Sequence, residues 1–258
     1  MQMEWSTWLP VSIPLFAAAL AQIVAHALAN KRENTKYKKE CFQNLYSPLI
    51  FLISDYYDDE LYKSEIMKSD KITEREFRLL HGRHDPNKIF KEMMETLSHN
   101  LKYAEHDLIS QFHDTKNFHP REKRGVLIEL KFQLCYTFCK NYIKVAKSLN
   151  IKSPDIVEDK IFYIHFYQLL TICLVNALEE NLMEFSDFVT IIPKKYRKKC
   201  FKFLKMIEST NSELYRNLVY WRTFNYLNKI CKDISMDDPK KAEYWKYRIE
   251  LAKSHIIS

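Results

Sequence analysis

Hydrophobic positions along the chain separate into one continuous run and several periodic stripes. Residues 5–30 contain no charged side chain and are followed directly by the Lys-rich segment KRENTKYKKE. Further along, apolar residues recur three or four positions apart, a spacing that places side chains on one face of an α-helix. One such stripe consists of Leu127, Leu130, Leu134, Phe138, Tyr142 and Val145. The pattern predicts an apolar N-terminal helix followed by amphipathic helices.

The apolar run is long enough for a membrane-spanning helix. A hydrocarbon core of about 30 Å needs roughly 20 apolar residues. Trp5 and Trp8 lie at one end of the run, and Lys31 and Arg32 lie just beyond the other end. Indole rings and basic side chains both favour the level of the lipid headgroups. We therefore predict a single-pass transmembrane helix with these four residues at the membrane interfaces.

Charge asymmetry around the run predicts its orientation. The preceding MQME has no basic residue, whereas residues 31–40 contain five. This asymmetry argues against the alternative of a cleaved signal peptide, although residues 25–29 resemble a small-residue cleavage site. Basic flanks remain on the cytoplasmic side of a membrane. We expect a cell-membrane protein with its N-terminus outside, its C-terminal domain in the cytoplasm, and the lipid bilayer as a partner.

Small residues form a stripe along the same helix. Because four residues make slightly more than one turn, alanines spaced by four lie close to one face. Small side chains let membrane helices approach closely, so the stripe predicts helix–helix contact and a homo-oligomer. The alternative is that alanine is simply common in such helices. The stripe consists of Ala17, Ala21, Ala25 and Ala29.

Composition indicates the fold class of the remaining chain. Only two glycines occur in 258 residues, whereas hairpins and phosphate-binding loops depend on glycine for positive φ. Six cysteines occur without a C-x-x-C pair, which favours reduced thiols over a zinc site. The sequence therefore predicts an all-α fold in which a multi-helix, bundle-like cytoplasmic domain follows the anchor.

The domain divides by charge and hydropathy. After an anchor over 1–30, we expect a basic juxtamembrane segment and first helix over 31–68, a helical core over 69–193, and a basic helical subdomain over 194–258. The core includes an uncharged segment near 161–178. Its flanks are mainly acidic, so a buried helix is favoured over a second membrane span.

A dense basic patch opens the C-terminal segment. From residue 194 to the end there are sixteen basic and seven acidic residues. Such a patch is attracted to anionic headgroups or to an acidic partner protein, while nucleic acid is a less favoured partner. A solvated basic face without a binding role is the alternative. The patch consists of Lys194, Lys195, Arg197, Lys198, Lys199, Lys202 and Lys205.

Histidine clustering provides the candidate catalytic chemistry. His84 followed by the pair His106-Asp107 imitates the ligand order of all-α metal phosphohydrolases of the HD type, in which imidazole and carboxylate hold a divalent cation. The turn with small residues that such a site needs is missing. Arg75 and His81 show the R-x(4–6)-H spacing of HEPN-type ribonucleases, but the residue that usually follows the arginine is absent.

The favoured function is therefore interaction rather than catalysis. No Walker loop, dinucleotide fingerprint or Ser-His-Asp grouping is visible, and no cofactor is expected. We expect a membrane-anchored adaptor, regulator or membrane-acting effector with a protein partner or self-association, of the kind found in phage-defence or immunity pairs. The alternative is a membrane-tethered phosphohydrolase or ribonuclease.

Overall fold

The computed structural model describes residues 9–118, 124–173, 192–210, 212–236 and 238–256. Every regular element in these ranges is helical, which confirms the all-α prediction. The α-helices are α1 Leu9–Cys41, α2 Ser47–Ser69, α3 Glu74–Leu80, α4 Pro86–His99, α5 His106–Asn117, α6 Arg124–Ser148, α7 Asp155–Cys173, α8 Arg197–Glu208, α9 Glu213–Ile234 and α10 Pro239–Ile256.

The N-terminal helix differs from the predicted membrane span. Within the described ranges, no helix has both the length and the apolar character required to cross a bilayer. The described helix does not end with the apolar run. It is 33 residues long and extends past this run through the Lys-rich segment. Gln22, His26 and Asn30 interrupt its apolar half. Trp5 and Trp8 lie outside the described residues.

The same helix leads directly into the folded body. The Tyr37 hydroxyl donates a 3.4 Å hydrogen bond to the carbonyl of Lys102, and Cys41 is already buried. A π-helical turn, Phe42–Tyr46, then joins α1 to α2. Pro48 lies in the first turn of α2, where a missing backbone donor costs little. Most of the apolar side chains of residues 45–54 are in the core.

The polar segment between α2 and α4 contains a short helix, α3. Thr73 caps α3 through a capping box: its hydroxyl accepts from the Glu76 amide, and the Glu76 carboxylate accepts from the Thr73 amide. Phe77 is fully buried beneath this helix. A satisfied N-terminus and one buried aromatic anchor make a seven-residue helix stable here.

The chain from residue 86 to residue 117 forms two helices, α4 and α5. Asn100 ends α4, and its side-chain amide donates a 2.9 Å hydrogen bond to the carbonyl of Thr96. Helix α5 starts at His106. His99 therefore lies on α4, whereas His106 and His113 lie on α5.

Helix α7 lies at the centre of the body. It packs against α2, α6 and α8, and almost all of its residues from Ile161 to Cys173 are buried. Residues 174–178 of the predicted segment lie outside the described residues. On α6, Phe138 and Tyr142 of the apolar stripe are buried. Helices α9 and α10 pack against each other, and α8 contacts both α7 and α9, so the basic C-terminal helices join the main core through α8.

Candidate functional site

A groove of about 1450 Å³ lies between α6, α7 and α8. Its lower surface is apolar because the core-facing sides of the three helices meet there. Ile161 and Phe162 come from α7, and Leu204 comes from α8; all three are buried. Ligand pockets in proteins are typically about 300–1,000 Å³, so this groove has room for an organic molecule.

One wall of the groove carries part of the predicted basic patch. Lys194, Arg197, Lys198 and Lys205 line it, whereas Lys195, Lys199 and Lys202 do not. On α8 the residues that line the groove lie within about 120° of helix rotation, and Lys202 and Lys199 lie outside this arc, about 40° and 100° beyond Lys198. The patch is therefore divided between a concave surface and an exposed convex one.

Lys195 has a structural role instead. Its ammonium pairs with Asp233, and the Tyr196 hydroxyl donates a 2.6 Å hydrogen bond to the same carboxylate. The Lys195 hydrogen bond, followed by that of Tyr196, lowers the pKa of Asp233. Burial and the bond to Asp233 raise the pKa of Tyr196 to about 12. This cluster fixes the start of α8 against α9.

The opposite wall supplies cations that sequence reasoning missed. Lys140 and Lys147 lie on α6, and Lys152 lies in the connection to α7. Asn150 turns this connection with a φ of 56°, a left-handed conformation that asparagine tolerates. The seven-residue spacing of Lys140 and Lys147, two turns on one helix face, was the available signal.

Acidic residues pair with two of the seven cations that line the groove. Lys140 lies 3.3 Å from Glu208 and 3.7 Å from Asp107, and the Tyr136 hydroxyl donates a 2.6 Å hydrogen bond to Glu208. Arg197 pairs with Asp159. The remaining lysines of the groove form no ion pair with any described residue; they are Lys147, Lys152, Lys194, Lys198 and Lys205.

A buried histidine lies at the base of the groove. His165 is only 4% exposed and is in edge contact with Tyr136 and Phe201. Its Nδ1 lies 2.7 Å from the carbonyl of Ile161, so Nδ1 carries the proton and Nε2 is the acceptor. Burial lowers the pKa of His165 to about 4, with Lys140 acting in the same direction. The imidazole is therefore neutral at physiological pH.

The start of α8 concentrates positive charge further. Its first turn contains Arg197, Lys198 and Lys199, with no acidic residue. A helix N-terminus already carries a partial positive charge, so cations there are unfavourable and an anion is favourable. A bound anion at this end of the groove would reduce the electrostatic repulsion between these cations and the helix N-terminus.

The predicted metal ligands are not brought together. His84 lies 3.0 Å from Asp59, whereas Asp107 accepts a hydrogen bond from Asn141 on α6. His106 is exposed at the start of α5. Among the described residues, no three histidine, cysteine or acidic side chains form a group that could hold a metal ion. For the nuclease pattern, Nδ1 of His81 lies 3.1 Å from the Tyr62 hydroxyl.

The apolar half of α1 forms a second candidate site. Every side chain described from residue 16 to residue 34 is exposed, including the predicted alanine stripe and Lys31 and Arg32. An exposed helical segment that is mostly apolar is normally covered by protein or lipid. Its large exposed side chains are Phe16, Leu20, Ile23, Val24 and Leu28.

Comparison of the chain with protein-family models, with curated proteins and with solved structures finds no match. Function is therefore inferred from the residues of the chain itself.

Proposed function

We propose that this protein is a membrane-anchored helical protein that acts by interaction. In this proposal the apolar half of α1 inserts into a lipid bilayer, and the helical body contacts a partner protein or the membrane surface. The observation that carries the proposal is the exposure of an uncharged helical segment on all its faces up to Asn30. Water solvates such a segment poorly.

The energetic gain from insertion is large. Phe16 and Ile23 are more than 60% exposed, and Leu20, Val24 and Leu28 are about half exposed. Burying one such side chain contributes about 1.5–3 kcal/mol. Because the segment is already helical, its backbone groups are hydrogen-bonded within the helix, which removes the main cost of entering lipid.

The charges that follow support the same proposal. Lys31, Arg32, Lys36 and Lys39 are exposed on the helix immediately after the apolar half. Basic side chains near an anionic leaflet contribute about 1 kcal/mol each. Since basic flanks favour the cytoplasmic side, we propose that the helical body lies there.

Fractionation of cells that express the full chain tests the anchor. We expect the protein to float with membranes in a density gradient and to remain with them in alkaline carbonate. The double variant Leu20→Lys with Ile23→Lys should shift most of the protein to the soluble fraction, because charged side chains within the bilayer cost about 2.5–3.5 kcal/mol each.

A matched control comes from α3. Leu79 and Leu80 are 77% and 71% exposed, so Leu79→Lys with Leu80→Lys makes the same chemical change on the body. This control should fractionate like the wild type. Recovery of wild-type protein in the soluble fraction would overturn the anchor. Full biological function after deletion of residues 1–30 would show that the membrane has no role in the mechanism.

A further inference from the structure

The groove combines two chemical features that one class of ligand matches. Its rim carries lysines from α6 and α8, and its lower surface is formed by apolar side chains. We infer that it binds a small organic phosphate, meaning a phosphate monoester attached to an apolar or aromatic body. The inference does not depend on the membrane anchor.

The cations favour an anionic ligand. Seven basic residues and two acidic residues, Glu158 and Glu208, line the groove. Glu208 is already occupied by Tyr136 and Lys140. Like charges in one concavity repel each other, and an anion that enters reduces this repulsion. The excess of positive charge is therefore a binding feature of the groove.

Phosphate is the anion that fits best at the start of α8. Lys194 and Lys198 line the groove at the positive end of this twelve-residue helix. Phosphate groups gain both from a helix N-terminus and from several lysine donors, because their charge is spread over three oxygens. A single carboxylate uses fewer of these contacts.

The apolar surface requires an organic body on the ligand. Ile151 is 37% exposed at the edge of the groove, and the neutral His165 contributes no charge beneath it. An inorganic anion would leave this surface in contact with water. A nucleobase or an acyl chain would cover it, and both are found attached to phosphate.

The shape of the charge distribution argues against an extended polyanion. Lys199 and Lys202 lie on α8 outside the groove, and Lys195 is held by Asp233. A nucleic acid needs a row of accessible cations along its backbone. Here the lysines that form no ion pair with a described residue converge in one concavity, which suits a compact ligand.

Binding measurements on the purified full-length protein in detergent micelles test the inference. The probes form two pairs: N-methylanthraniloyl-AMP with N-methylanthraniloyl-adenosine, and dioctanoyl phosphatidic acid with dioctanoylglycerol. The phosphate-bearing member of one pair should bind at least about ten-fold more tightly than its partner, because only this member can contact the lysines through a phosphate group. The pair that responds distinguishes a soluble nucleotide from a lipid headgroup.

Charge reversal on the two sides of α8 provides the matched comparison. Lys194→Glu with Lys198→Glu should weaken binding by about ten-fold or more, because both side chains line the groove. Lys199→Glu with Lys202→Glu makes the same change in charge outside it and should leave the affinity within about two-fold. Ile151→Ser should weaken binding of the organic phosphate but not binding of inorganic pyrophosphate.

Three results would overturn the inference. The first is that neither phosphate-bearing probe binds more tightly than its phosphate-free partner. The two charge-reversal pairs could weaken binding equally, which would show diffuse surface attraction. Saturable binding of hexaglutamate that is stronger than that of both phosphates would instead identify an acidic peptide as the ligand.

Discussion

The hydroxyl of Tyr136 donates a 2.6 Å hydrogen bond to the carboxylate of Glu208 and thereby joins α6 to α8 at one end of the groove. Burial and this bond raise the pKa of Tyr136. The contact holds together the two helices that supply the opposing basic walls. Tyr136 differs in this respect from Tyr46, whose hydroxyl has no hydrogen-bond partner among the described residues.

Tyr136→Phe should lower the free energy of unfolding by about 1–2 kcal/mol, because a hydrogen bond to a partly exposed carboxylate is lost. Urea unfolding of the full chain would measure the change. Tyr247, which is 66% exposed, is the control, and Tyr247→Phe should change stability by less than about 0.5 kcal/mol. Equal effects of the two substitutions would contradict the role of the Glu208 bond.

Tyr46→Phe should have the opposite sign. The ring of Tyr46 is fully buried against Phe138, at 5.3 Å between centroids, and its hydroxyl has no hydrogen-bond partner among the described residues. Removing a buried unpaired hydroxyl should raise the free energy of unfolding by about 1 kcal/mol. The same urea titration measures it, and a loss of stability would show that the hydroxyl has a partner.

His165 should make stability depend on pH between about 6.5 and 4. Its pKa in the folded chain is lowered from 6.5 to about 4, so both states are neutral above this window and add nothing. As the pH falls through 6.5, the unfolded state takes up a proton and the folded state does not, so stability decreases. The loss reaches about 3 kcal/mol near pH 4 and then stays constant.

Comparison of the wild type with His165→Leu isolates this effect from titration of the carboxylates. The stability difference between the two proteins should change in favour of the variant as the pH falls from 7 to 4. Urea unfolding at several pH values gives the two curves. Parallel curves over this window would show that His165 titrates normally in the folded chain.

Substitutions along α1 test the predicted self-association. If the alanine stripe is a contact surface, Ala21→Leu and Ala25→Leu should each weaken oligomers in cross-linking of membranes, since added bulk separates the helices. Ala19→Leu adds the same bulk on nearly the opposite side of the helix and should leave cross-linking unchanged. Unchanged cross-linking in all three variants would reduce the segment to a tether.

Residue patterns predicted the helical class and several buried faces, because the periodicity of Phe138 and Tyr142 and the scarcity of glycine act locally. The break at Asn100 was not predictable in this way, since no proline or glycine marks it and the side chain itself caps α4. The capping box of Thr73 and Glu76 was visible in the sequence, but the short helix also depends on burial of Phe77.

The groove, too, was only partly predictable from the sequence. The basic residues of α8 were predicted as one patch, yet their sorting into groove and outer face depends on which side of α8 meets α7. Lys140, Lys147 and Lys152 are distant in sequence and join them only through tertiary packing. The opposite outcome holds for His84, His106 and Asp107, which a linear motif grouped and the fold separates.

The continuity of α1 with the core gives the protein the mechanics of a lever. The helix is unbroken from the exposed Phe16 to the buried Cys41, a distance of about 40 Å at 1.5 Å per residue. The π-helical turn Phe42–Tyr46 connects it to α2, and Leu45 and Tyr46 of this turn are fully buried. At this length, a rotation of about 6° about the turn would displace Phe16 by about 4 Å, so a small change of angle in the core corresponds to a large displacement at the far end of the helix.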